Sequence, residues 1–96
     1  MASEIQVKLE KLGIYLDKPA MPAGNYVPFL VVSDMVYVSG QLPLVDGVIN
    51  LTGQVGNSVT VKEAQEQARQ CAIEILRQAA SVSNNLENVE RVIKLG

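Results

Sequence analysis

The sequence has no histidine, no tryptophan, one cysteine and one phenylalanine in 96 residues. Each absence excludes a chemistry. A single cysteine, Cys71, allows no internal disulfide. Without histidine there is no zinc site of the Cys/His kind, no Ser–His or Cys–His nucleophile pair, and no ordinary proton shuttle near neutral pH. No basic excess exists either: the net charge is −2 and the isoelectric point is near 5.0. A protein that gathers phosphates by bulk electrostatics is therefore disfavoured, and so is nucleic acid as a partner. No apolar run is long enough to span a membrane. The opening Ser3-Glu4-Ile5-Gln6-Val7-Lys8 lacks the apolar core of a signal peptide, so a cytoplasmic location is expected.

What remains is a chain that should fold. Apolar residues are 48% and charged residues 19%, in a length that suits one small domain. Any chemistry must come from carboxylates, hydroxyls, arginine and backbone dipoles. That kit suits an easy reaction on a reactive substrate.

The stretch Ser39-Gly40-Gln41-Leu42-Pro43 stands out. It follows the apolar run Met35-Val36-Tyr37-Val38, which reads as a strand. Glycine at a strand end marks a bulge or a close approach to the backbone, and Ser39 adds a hydroxyl beside it. Ordinary strand punctuation is the alternative reading.

The rest of the chain reads as follows. Ser3 and Gln6 form a capping pattern ahead of Ile5, Leu9 and Leu12, with Glu4 early, Lys8 and Lys11 late and Gly13 after. These features predict a covering helix over 4–12. Residues 16–24, with Pro19, Pro22 and Gly24, read as an irregular connection. A strand over 26–32, a turn at Ser33-Asp34 and a strand over 35–41 make an antiparallel hairpin. Asp46-Gly47 signals a second turn before a short strand at 48–51. Residues 52–59 read as a loop whose Gly53 and Gly56 could cradle a ligand, though without the rest of any phosphate motif.

Thr60 and Glu63 form a second capping box, and residues 61–82 carry helical spacing in Val61, Ala64, Ala68, Cys71, Ala72, Ile75, Leu76, Ala79 and Val82. That face is expected to lie on the sheet, with Cys71 an inert core residue and Ala72→Glu costly. Ser83 to Asn88 end the helix and turn. Residues 89–95 read as a final strand that returns parallel to the sheet. The result is a single α+β domain over 1–96, one sheet with a long helix packed on one face. Its apolar last strand argues against a free monomer.

At this point the motifs resemble a known family. Pro22-Ala23-Gly24-Asn25-Tyr26-Val27-Pro28, Val36-Tyr37-Val38-Ser39-Gly40-Gln41-Leu42-Pro43, Ala64-x-x-x-Ala68-Arg69-x-Cys71 and Val89-x-Arg91-Val92-Ile93-Lys94-Leu95 look like a RidA protein. This family is also called YjgF or endoribonuclease L-PSP. The similarity covers residues 20–95, and Ser-Gly-Gln-x-Pro is its most specific part.

The resemblance implies a chorismate-mutase-like mixed sheet and a homotrimer with clefts between subunits. It also implies cofactor-free, metal-free hydrolysis of small carboxylate-bearing enamines and imines, such as 2-aminoacrylate, to 2-oxo acids and ammonia. By the same resemblance Tyr26 lines the cleft and Ser39 and Gly40 form its floor. The family's carboxylate-binding arginine and a glutamate fall beyond Gly96. Arg69, Arg77 and Arg91 do not match that position. The chain therefore reads as a C-terminally incomplete form with impaired deaminase activity. A non-catalytic ligand-binding protein and an endoribonuclease are the alternatives. The lack of a basic stripe, of stacking aromatics and of a histidine base disfavours the ribonuclease.

Overall fold

A computed structural model describes residues 3–16, 19, 24–45 and 48–96. The expected turn at Asp46-Gly47 and the Pro22-Ala23 part of the first motif lie outside these residues.

Helix α1 (Glu4–Leu12) starts where the sequence places it. Ser3 is extended, and its Oγ accepts the Gln6 amide at 3.1 Å. Gly13 ends the helix with φ 71°, a left-handed conformation that glycine adopts without a Cβ penalty. Its amide reaches the Glu10 carbonyl, and the Ile14 amide reaches that of Leu9 at 2.9 Å. This pair of bonds satisfies two carbonyls the helix would otherwise leave open.

Strands β1 (Phe29–Val32) and β2 (Met35–Val38) form the expected antiparallel hairpin, with Val32 opposite Met35 and Phe29 opposite Val38. The Ser33-Asp34 turn holds Ser33 at φ 55°. Strands β3 (Leu44–Val45) and β4 (Val48–Ile49) make a second, smaller hairpin.

Helix α2 (Val61–Ala80) carries both halves of its capping box. Glu63 donates its amide to Thr60 Oγ1 at 3.1 Å, and Thr60 donates its amide to Glu63 Oε1 at 3.0 Å. Those bonds, the one from the Thr60 backbone first, hold the Glu63 carboxyl below the usual glutamate range. A carboxyl lowered on folding stabilises fully above its ordinary value and loses that contribution as pH falls through the lowered one. We expect Glu63→Gln to be less stable than the parent at pH 6, with the gap closing as the pH falls below about 4.3. Thermal unfolding of both proteins across that range checks this.

Beyond α2 the chain turns through Asn84, Asn85 and Leu86, all at positive φ. Asparagine tolerates this region, whereas for leucine it costs about 1–2 kcal/mol. Leu86 is buried, and full burial of such a side chain is worth about 1.5–3 kcal/mol. Burial therefore offsets the strain. The Ser83 hydroxyl donates to the Ala79 carbonyl at 2.6 Å, and the Asn85 amide donates to that of Ala80 at 3.2 Å, which together close the turn.

Three expectations need correction. The strands are shorter than their sequence patterns, and the described sheets are two separate antiparallel pairs. The α+β class holds, with these two antiparallel pairs as its described sheets. Residues 89–95 lie outside any ladder and are exposed. A strand is defined by its partner, and none of the described strands pairs with them.

The third correction concerns the orientation of α2. The helix does pack on β2 and β3. Yet Ala68 and Ala72 are exposed and Cys71 and Ile75 are half-buried, while Ile73, Glu74, Gln78 and Ala80 are buried. A two-stranded hairpin is too narrow to cover the whole alanine face. The opposite side is instead drawn under the end of α1 and the segment after it. Arg69 Nη2 donates to the Leu12 carbonyl at 2.8 Å, and Arg77 Nε donates to that of Tyr15 at 3.1 Å. The helix also ends at Ala80 rather than residue 82.

Candidate functional site

The candidate site begins with a defect in the β1–β2 ladder. Pairing continues one step past the strands, from the Ser39 amide to the Pro28 carbonyl at 3.0 Å. The return bond is impossible because proline has no N–H. The Ser39 carbonyl is served by a side chain instead: Gln41 Nε2 donates to it at 3.0 Å. Gln41 Oε1 in turn faces Gln78 Nε2 at 3.5 Å. Gln78 is 1% exposed. A polar chain thus runs from the interior of α2 through Gln41 to the Ser39-Gly40 backbone.

The Ser39 hydroxyl is committed as well. Its Oγ lies 3.0 Å from the carbonyl oxygens of both Val27 and Pro28. One proton is shared between them, so the hydroxyl holds the entry to β1 and does not act as a nucleophile. Ser39→Ala should cost about 0.5–1.5 kcal/mol, the net worth of one such bond, measurable by urea unfolding.

Gly40 differs. Its φ is not positive, and a Cβ added there would meet nothing within 4 Å. Neither conformation nor packing within the chain calls for glycine, and its backbone faces open space. Ser39 Oγ reaches the carbonyl of Val27, the residue after Tyr26. Tyr26 is 44% exposed. Ser39 and Gly40 follow β2 at the hairpin's open end, and Tyr26 stands two residues before Pro28, the partner of Ser39.

The other candidates do not join them. The 52–59 loop is closed on itself. The Gly56 amide donates to the Val59 carbonyl at 2.7 Å, those of Asn57 and Val59 both donate to the Gln54 carbonyl at 3.1 Å, and that of Gln54 donates to Ser58 Oγ at 3.3 Å. Four amides that could hold an anion are already used. Gly53, at φ 149°, is needed here, because a Cβ would sit 2.2 Å from Ser58 Oγ. Gly53→Ala should destabilise by about 1–3 kcal/mol, and removing the clash with Ser58→Gly should recover part of that in a denaturation double-mutant cycle.

Cys71 lies apart on α2. Partial burial, with the Glu74 charge adding to it, raises its thiol above the usual range, which disfavours the reactive thiolate. Arg69 and Arg77 are bound to backbone carbonyls, and Arg77 also pairs with Glu74 at 2.6 Å. They act as clamps from α2 to the last residue of α1 and to the segment after it. Sequence reasoning missed Gln41 and Gln78. Gln41 sits inside the motif, but nothing in spacing reveals that it replaces an amide lost to Pro28.

A family model described as Endoribonuclease L-PSP matches residues 17–95. Protein TCP17 from Trypanosoma cruzi is 40% identical over 94 residues, which are 98% of this chain and 59% of that protein. Among solved structures, a candidate endoribonuclease from Shewanella oneidensis superposes with a TM-score of 0.81 at 27% identity, over 90% of this chain and 57% of that one. Protein Atu1372 of Agrobacterium tumefaciens, of unknown function, gives 0.68 at 41% identity, over 84% and 48%. The chain thus spans about half to three-fifths of the length of these relatives.

Proposed function

The chain belongs to the endoribonuclease L-PSP family, and from that premise we propose that it acts on small, carboxylate-bearing enamines and imines. The reaction is hydrolysis to a 2-oxo acid and ammonia at the floor formed by Ser39 and Gly40, beside Tyr26. The observation that carries the reading is Gly40: a glycine whose exposed backbone nothing in the chain requires, set next to a serine fully engaged in holding that backbone still.

The chemistry suits such a floor. An enamine tautomerises to its imine, water adds to the C=N carbon, and the carbinolamine expels ammonia to leave the ketone. An imine already tends to add water, so holding the imine and water in register supplies the gain. Backbone groups fixed by the Gln41–Gln78 chain are suited to orient a polarised nitrogen or oxygen without reorganising. Arg69 and Arg77 are engaged elsewhere, so neither holds the substrate's carboxylate. A homotrimer that completes the cleft, and a cytoplasmic setting, belong to the same proposal. Among the described residues no helix is long and apolar enough to cross a membrane.

The test is an amide-resolved NMR titration with 2-oxobutyrate, a stand-in for the product. Shifts centred on Tyr26, Ser39 and Gly40 are expected. Shifts centred on the 52–59 loop, or none at millimolar ligand, would remove the site. Ribonuclease action, which the family's description names, is the second reading and is separated from the first by the final measurement below.

A further inference from the structure

We propose that Gln78, a buried residue of α2, aims the Gly40 amide by fixing which end of the Gln41 side chain meets the Ser39 carbonyl. It is a positioning residue that acts through Gln41, and the inference rests on the Ser39–Gly40 floor being the site of the proposed reaction. Three observations carry it.

The first is burial. Gln78 is 1% exposed, on a helix whose other buried residues include Ile73 and Ala80. An amide so far from water is costly unless its polar atoms are bonded. Its Nε2 donates to Gln41 Oε1 at 3.5 Å. The backbone that carries it is held on both sides. The Ser81 hydroxyl donates to the Gln78 carbonyl at 2.6 Å, and the preceding Arg77 is tied to the Tyr15 carbonyl at 3.1 Å.

The second is the sense of the Gln41 amide. A primary amide has one accepting end and one donating end. Gln78 donates, so it takes Oε1 and leaves Nε2 for the Ser39 carbonyl, 3.0 Å away. Turned end for end, Gln41 would set an oxygen against the Ser39 oxygen and a donor against a donor. Gln78 thereby selects the one sense that holds Ser39.

The third is the peptide unit between Ser39 and Gly40. The Ser39 carbonyl and the Gly40 amide share one plane and point opposite ways in a trans peptide. Holding the oxygen therefore aims the N–H. Among the described residues nothing accepts that amide, and Gly40 is exposed. Glycine leaves its own side of the unit free to rotate, and no atom lies within 4 Å of where its Cβ would stand. The bond from Gln41 opposes that rotation. The Gln78–Gln41 chain is thus a latch that keeps the floor's open amide in one direction.

The experiment is amide relaxation dispersion on the unliganded protein, which detects exchange on the μs–ms scale. Gln78→Met and Gln41→Met remove the amides at nearly constant length. Each is expected to broaden the Gly40 amide, with the change confined to residues 39–41 and with Val36 and Val38 as in the parent. The double variant should match the single ones rather than add to them, because the two side chains form one unit. In imine hydrolysis the same variants should lower kcat about two- to tenfold, the worth of one neutral hydrogen bond. Gln78→Asn, which keeps an amide but withdraws it, serves for the same comparison if Gln78→Met does not fold. A Gly40 amide as quiet in the Gln78 variant as in the parent would overturn the proposal. So would broadening spread along α2 and the hairpin, which marks a packing role. The exchange measurement needs no turnover. A parent without imine hydrolysis removes the proposed function, while the Gly40 amide still decides whether the latch exists.

Discussion

Replacing Ile73 by alanine is expected to cost about 2–5 kcal/mol, the range for a buried isoleucine cut to a methyl group. Few apolar side chains share its burial: Val59, Ile73, Ala80 and Leu86 are the buried hydrophobic residues among those described. A domain of this length has roughly 5–14 kcal/mol in total. With so sparse a core the actual value belongs at the low end, so Ile73→Ala should be substantially unfolded at 37 °C. Ala72→Glu, one residue earlier, is expected to change stability by no more than about 0.5 kcal/mol, because Ala72 is exposed. Urea unfolding of the two variants decides which face of α2 is inside. A large loss for Ala72→Glu with a small one for Ile73→Ala would restore the alanine face as the buried one.

Gly40→Val is expected to leave folding unchanged and to lower kcat/KM for imine hydrolysis by about ten- to a hundredfold. Folding is spared because the position needs neither positive φ nor a missing Cβ. Activity is expected to fall because the new side chain stands over the backbone proposed to meet the substrate. Displacing one hydrogen bond to a charged group costs about 1.5–3 kcal/mol, and each 1.36 kcal/mol is about a factor of ten in rate. The split between constants is informative. A rise in KM alone means that Gly40 only admits the substrate, whereas a fall in kcat means that its backbone acts in the transition state. Wild-type kinetics in Gly40→Val, with the fold intact, would move the site away from this stretch.

The legible parts of the fold were those with local causes. Ser3 and Thr60 cap their helices, Gly13 ends the first, and Ser33-Asp34 turns the hairpin, each through bonds spanning a few residues. The α+β class followed from the order of such elements, and the superposition on the Shewanella structure agrees with it. What the sequence hid depends on distant partners. The alanine stripe of α2 is the better hydrophobic face by spacing, yet Arg69 and Arg77 reach carbonyls 57 and 62 residues away and draw the other side under cover. Residues 89–95 have the pattern of a strand, but a pattern does not supply a ladder. At the site, the Ser-Gly-Gln motif was visible and its wiring was not. Pro28 removes an amide eleven residues before Ser39, and Gln41 replaces it.

The central claim is that the Ser39–Gly40 floor serves a small imine rather than RNA. The most direct test supplies both substrates to one preparation, 2-aminoacrylate generated in place and a single-stranded RNA oligonucleotide, and follows 2-oxo acid release and RNA length together. The account predicts 2-oxo acid release above the buffer rate, lowered about ten- to a hundredfold in Gly40→Val, with the RNA intact. RNA cleavage that Gly40→Val abolishes, without acceleration of imine hydrolysis, would contradict it.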